Sequence, residues 1–164
     1  MRDEVDRLVE AWQRERADLD LTPMEVLSRV TRLGHHLDHA RRQAFAEHAI
    51  ESWEFDVLAA LRRSGPPYRL SPGRLLKETL VTSGTMTNRV DRLVTRGWVE
   101  REPDPTDRRG VIVRLTPTGM AVVDSALSDL LAHEHDLLAE LGAGERDDLA
   151  GLLRRLLRPF EREG

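Results

Sequence analysis

Residues 83–119 read SGTMTNRVDRLVTRGWVEREPDPTDRRGVIVRLTPTG, and a change of period inside this stretch decides the fold. From about Ser83 to Arg96 the apolar residues Met86, Val90, Leu93 and Val94 fall on one stripe at ~100° per residue. Opposite that stripe lie Gly84, Asn88, Arg92 and Thr95, with Thr85 and Thr87 on its flanks. Small and polar groups of this kind suit the edges of bases and phosphates, and they let a helix approach a groove closely. After Gly97 the period drops from 3.6 to 2. Trp98–Arg101 and Val111–Leu115 read as two strands, and the polar, turn-rich Pro103–Gly110 between them reads as a hairpin tip.

Working outward, Ser71-Pro72 is a cap-plus-proline helix start, predicting a short helix to about Thr79. A turn at Thr82-Ser83-Gly84 follows it. Ser52 opens a helix carrying Trp53, Val57, Leu58 and Leu61, which stops at Ser64-Gly65-Pro66-Pro67. Further upstream, Val5, Leu8, Val9 and Trp12 mark a short amphipathic helix over 2–17. Thr22-Pro23 starts a long one to about 47, with the threonine hydroxyl as cap. That helix carries Val26, Leu27, Val30, Leu33, Leu37 and Ala40 along one face, a stripe suited to burial against a partner chain. Downstream, Thr116-Pro117 starts a helix to about Leu141, and Gly142-Ala143-Gly144 separates it from a last helix at about 145–160. The expected fold class is mainly α with a small β-hairpin: a winged helix-turn-helix with a helical dimerisation region. The expected division is 1–51 for N-terminal dimerisation helices, 52–115 for the winged helix-turn-helix, and 116–164 for C-terminal dimerisation helices.

The composition agrees with such a chain. Of 164 residues, 40% are apolar and 33% charged, enough for a core and too apolar for disorder. Aromatics reach 4%, so the core rests on Leu, Val and Ala. The absence of cysteine excludes disulfides, thiolate metal sites and cysteine nucleophiles. No apolar run approaches the ~20 residues of a membrane span, so a cytoplasmic protein without membrane contact is expected. The net charge of -4 argues at first against a nucleic-acid partner. Its distribution reverses that. Residues 69–115 hold ten basic and six acidic groups, net +4, between flanks of net -3 and -5. Salt screens charge over ~8–10 Å, so a phosphate responds to the local patch more than to the total.

The hairpin segment Asp107-Arg108-Arg109-Gly110-Val111-Ile112-Val113-Arg114-Leu115-Thr116 fits D-x-R-x-x-x-V-x-L-T, and Gly119 completes L-T-x-x-G. With a helix-turn-helix before it, this resembles the MarR family of dimeric bacterial transcription regulators over roughly residues 25–160. The resemblance implies that Asp107 steadies the wing and that Arg109 reaches into the minor groove, with Arg108 at the tip as a second candidate. A narrow minor groove concentrates negative potential, which suits arginine. The DNA-facing set is therefore Ser83, Thr85, Thr87, Asn88, Arg92 and Arg96 on the helix, and Asp107, Arg108 and Arg109 on the wing. The partner is double-stranded DNA carrying a pseudo-palindromic operator, bound by a homodimer.

Within the family, the extra N-terminal helix with Trp12 and the segments Trp53-Glu54-Phe55-Asp56, Thr87-Asn88-Arg89 and Val99-Glu100-Arg101 resemble the urate-responsive subgroup. Inside that subgroup they look most like the type that regulates trans-aconitate methyltransferase. That resemblance implies a small anionic effector held by Trp12, Asp56, Arg89 and Arg101. The residues make separate sense of it. Asp56 sits on or beside an apolar helical face, where a carboxylate needs a partner. Arg89, about 85° from the buried stripe, can turn back toward the protein. Citrate or aconitate, urate and aromatic acids remain open as ligands, as does the absence of any effector. An enzyme is not indicated: there is no H-E-x-x-H, phosphate loop, dinucleotide turn or nucleophile elbow. His35, His36 and His39 are read as a surface run, and neither metal nor cofactor is expected.

Overall fold

Three strands stand where the sequence pattern pointed to two. A computed structural model describes residues 2–79, 83–105 and 110–161. In order they form α1 (Glu4–Glu15), α2 (Thr22–Ala46), α3 (Ser52–Arg63), β1 (Arg69–Leu70), α4 (Pro72–Thr79), α5 (Ser83–Thr95), β2 (Val99–Pro103), β3 (Val111–Leu115), α6 (Pro117–Leu137) and α7 (Ala143–Glu161). The hairpin β2–β3 is antiparallel with Arg101 opposite Val113. The two-residue β1 pairs with β3 on its other edge, Arg69 opposite Arg114. β1 is too short to give a period, so only its pairing reveals it.

The core lies inside the DNA-binding lobe and under α6. Val57, Leu58 and Leu61 of α3, Leu75 of α4, Met86, Val90 and Leu93 of α5, Val113 and Leu115 of β3, and Val123 and Ala126 of α6 are all buried. Trp98 and Val99 close it beneath the hairpin. Val94, placed on the buried stripe of α5 by wheel arithmetic, is instead 39% exposed. A stripe four positions wide exceeds what α4 and β2 cover.

The motif L-T-x-x-G has a local cause. The Thr116 N–H donates to the Trp98 carbonyl at 3.0 Å, and the Thr116 hydroxyl donates toward the Gly97 and Trp98 carbonyls at 2.8 and 3.0 Å. The same hydroxyl oxygen caps α6 by accepting the Gly119 N–H at 3.0 Å. This pulls the first turn of α6 onto the start of β2. A Cβ at position 119 would lie 2.1 Å from the Trp98 carbonyl oxygen, so only glycine fits there.

The start of α2 differs from expectation. Thr22 is already helical, and the Asp20 carboxylate accepts its N–H and its hydroxyl at 3.0 and 2.7 Å. α1 folds back on α2 through a short connection. It buries Val5, and Arg29 reaches Asp3 and Asp6 at 2.8 and 2.6 Å. Arg29 and the neighbouring backbone amides hold both carboxyls below their ordinary range: the Arg29 guanidinium is the larger influence at Asp3, and the Asp3 backbone N–H at Asp6.

The remaining helices carry apolar surface outward. Val26, Leu27, Val30 and Leu33 of α2 and Leu127 and Leu131 of α6 are exposed. So are Leu152, Leu156, Leu157 and Phe160 of α7, a helix that buries none of its residues. Across the cleft between α2 and α7, Val26, Val30, Leu33 and Leu37 face Leu149 and Leu153.

Candidate nucleic-acid interface

α5 packs its apolar side against α4 and β2 and turns the other outward. Gly84, Thr85, Thr87, Asn88, Arg92 and Thr95 are all exposed on that outer side. The Thr95 hydroxyl turns back to the Asp91 carbonyl at 3.0 Å. Asp107, Arg108 and Arg109 lie outside the described residues, as does the side chain of Ser83.

Arginines on one side of α5 grip the first turn of α3. The guanidinium of Arg89 lies 5.3 Å from the centre of the Trp53 ring, and that of Arg92 lies 4.7 Å from it. Arg92 also pairs with Glu51 at 2.5 Å, and the Trp53 indole N–H donates to the same carboxylate at 2.7 Å. These two donors hold the Glu51 carboxyl below its usual range, the indole contributing more. Both members of the Glu51–Arg92 pair are more than half exposed, so water and salt weaken it.

Arg96, expected to face DNA, stays partly exposed, but its guanidinium is engaged by the protein. It binds both oxygens of the fully buried Glu54 at 3.1 and 2.9 Å and lies 3.6 Å from the centre of the Trp98 ring. A buried carboxylate demands such a partner. The subgroup resemblance singles out the segment that holds Trp53 and Glu54, but neither their contacts with Arg92 and Arg96 nor the part of Glu51 follows from it.

The four residues expected around an effector are not gathered within this chain. Asp56 pairs with Arg41 of α2 at 3.0 Å, not with Arg89 or Arg101. Arg101 pairs with Asp91 of α5 at 2.6 Å, tying the wing to the recognition helix. Beside it a cleft of about 200 Å³ is lined by Pro72, Met86, Thr87, Val90, Arg101 and Val111. Trp12, 45% exposed, sits toward the loop end of α1. Glu4, at the other end of α1, pairs with Arg32. Arg41 is a further nine residues along α2, about 14 Å of helical rise. Among the described residues no group of three or more His, Cys, Asp or Glu is placed to hold a metal, and no helix is long and apolar enough to cross a membrane.

A helix-turn-helix with an exposed polar recognition face, followed by a hairpin wing sealed to it by Trp98 and Thr116, defines a winged-helix DNA-binding protein. Residues 50–110 match the model of the MarR family. The chain is 36% identical to the HTH-type transcriptional regulator PecS of Dickeya dadantii, across 93% of this chain and 92% of that protein. It is similar to the crystal structure of an Escherichia coli MarR variant complexed with operator DNA, with TM-score 0.70 and 31% identity, over 85% of this chain and 99% of that one. It is also similar to Bordetella bronchiseptica BpsR, whose structure addresses regulation of DNA binding by 6-hydroxynicotinic acid. There the TM-score is 0.67 at 27% identity, over 80% of this chain and 91% of that one. The chain belongs to the MarR family and is a DNA-binding transcriptional regulator, not an enzyme.

Proposed function

We propose that the protein is a homodimeric repressor released from a pseudo-palindromic operator by a small anionic metabolite. Residues 1–51 and 116–164 would form the dimer, and 52–115 the reading lobe. The observation that carries the dimer is α7, a 19-residue helix with no buried residue and four outward apolar side chains. Water does not sustain such a helix without a partner for its apolar side. The observation that carries DNA reading is the exposed row Thr85, Thr87, Asn88 and Arg92. In this reading Arg92 exchanges Glu51 for a phosphate, and Arg109 enters the minor groove beside Arg108 on a wing steadied by Asp107.

The effector reading rests on Arg101. An anion held by Arg101 and Arg89 together would wedge between the wing strand and α5 and tilt the reading surface, whereas loss of Arg101 alone leaves no wedge there. A ligand shifts that balance only by binding the two arrangements unequally, with a coupling of ~1–3 kcal/mol. Arg89, which forms no ion pair among the described residues, is the second cation available to it. Trp12 and Asp56 belong to this site only in an arrangement other than that of the single chain. Citrate- or aconitate-like and urate-like anions fit the subgroup resemblance. An aromatic acid is the second reading, favoured by the likeness to BpsR.

Gel shifts on operator DNA with citrate, cis- and trans-aconitate, urate, salicylate and 6-hydroxynicotinate test this. One of them is expected to release the DNA, and Arg101→Ala should blunt that release while leaving DNA binding in place. Insensitivity to all six, or loss of DNA binding in Arg101→Ala, would remove the effector assignment.

A further inference from the structure

The chain carries two arginines a turn apart at the end of the recognition helix, and their surroundings differ sharply. Arg92 meets an exposed glutamate. Arg96 meets three fixed groups at once. Its Nη1 donates to both oxygens of Glu54, which is fully buried. Its Nη2 donates to the Ala49 carbonyl at 2.7 Å, and the plane of the guanidinium lies over Trp98, itself 7% exposed. Residues 47–51 are the connection between α2 and α3, and Ala49 takes up the left-handed conformation there, with φ of 50°. Glu54 is also held from that connection, by the Glu51 N–H at 2.9 Å.

We propose that Arg96 is a positioning residue that locks the recognition helix to the connection between the long helix and the DNA-binding lobe, and that it contacts no phosphate. One guanidinium joins three segments: the connection at Ala49, the first turn of α3 at Glu54, and the start of β2 at Trp98. Motion of α2 therefore reaches α5 directly, without passing through the core. A phosphate would have to strip Arg96 from Glu54 and leave a buried carboxylate alone, an exchange that costs far more than the one at Arg92. Only a planar fork serves Glu54 and Ala49 together while stacking on an indole; a lysine supplies the charge but not the geometry. The inference rests on the DNA-binding role of the lobe, and it reassigns one residue within it.

The test measures binding to a duplex that the wild-type protein selects from a random-sequence pool, as a function of salt. The variants are Arg96→Lys and the double change Arg96→Gln with Glu54→Gln. The double change removes the orphaned charge that would unfold Arg96→Gln alone. Melting curves on the same preparations give the folded fraction. As a positioning residue, Arg96 should cost both variants about tenfold in affinity, the scale of a broken contact network. The slope of log affinity against log salt should stay at the wild-type value. Each phosphate contact contributes ~0.9 to that slope, so a phosphate-binding Arg96 would lower it by about 1.8 per dimer in the double variant and leave Arg96→Lys near wild type. That result would overturn the proposal. So would wild-type affinity in both variants. The wild-type slope separately shows whether the lobe binds DNA through phosphates at all, so the two ideas fail independently.

Discussion

Gly119→Ala isolates the seam between the wing and the helix that follows it. The new Cβ would stand 2.1 Å from the Trp98 carbonyl oxygen and 3.0 Å from a Leu115 methyl, where ordinary contact begins at 3.4 Å. A carbonyl oxygen in the backbone has no rotamer to escape into, so the first turn of α6 must retreat by about 1 Å. Overpacking of this kind costs ~1–3 kcal/mol. The retreat also stretches the Thr116 bonds to Gly97 and Trp98 and weakens the cap on Gly119, adding ~1 kcal/mol. Against this, alanine gains ~1 kcal/mol over glycine as a helix former. The net loss is ~2 kcal/mol, or about 4–8 °C in Tm for a chain of this size. Thermal and urea unfolding at one fixed protein concentration measure it, with Gly73→Ala as the control. At Gly73 the nearest atom to a new Cβ is the Ser71 hydroxyl at 4.0 Å, so there the substitution should be neutral or stabilising by up to ~1 kcal/mol. A Gly119→Ala protein as stable as the Gly73→Ala protein would refute the close approach and, with it, the structural account of the motif.

Two further predictions concern the scaffold. Asp3 and Asp6 have depressed carboxyl pKa values, so the support they give the α1–α2 contact is complete above the ordinary value of 3.8. It is lost as pH falls through their lower folded values. Arg29→Met should flatten the acid limb of a stability-against-pH curve below about pH 4, and an unaltered limb would show that the pairs contribute nothing. Leu156→Asp on α7 removes a half-exposed leucine worth ~1 kcal/mol on burial, twice over in a symmetric pair. It also plants two charges at the contact, so the dimer dissociation constant should rise at least ~100-fold by sedimentation equilibrium. An unchanged constant would place the dimer contact elsewhere.

The legible part of the fold was the part governed by local period. Met86, Val90 and Leu93 announced the buried side of α5, and Thr116-Pro117 announced the start of α6, because both depend on residues within one or two turns. Partners distant in sequence were not legible. Asp56 showed that it needed a cation, but the chain offers 24 arginines, and only the crossing of α2 over α3 selects Arg41. Arg96 looked like one more cation at the end of a reading helix. Its engagement by the protein depends on Glu54, 42 residues earlier, being buried at the spot where the two elements meet. The effector set shows the same limit. A resemblance carries residue types onto positions, yet Asp91 and Arg41 decide where those side chains rest in the unliganded chain.

The bareness of α7 sets how the regulator responds to its own abundance. In the proposed dimer, a helix that its own chain does not cover would gain its stability from a bimolecular event, so folding of the scaffold and assembly would be one equilibrium. At low copy number the concentration of assembled protein rises with the square of the chain concentration. Operator occupancy then turns on over a narrower range of expression than a monomeric binder would allow. Newly made chains at low copy also expose Leu152, Leu156 and Phe160 to proteases until they meet a mate. Synthesis rate and surveillance together would thus set the threshold at which the controlled promoter closes.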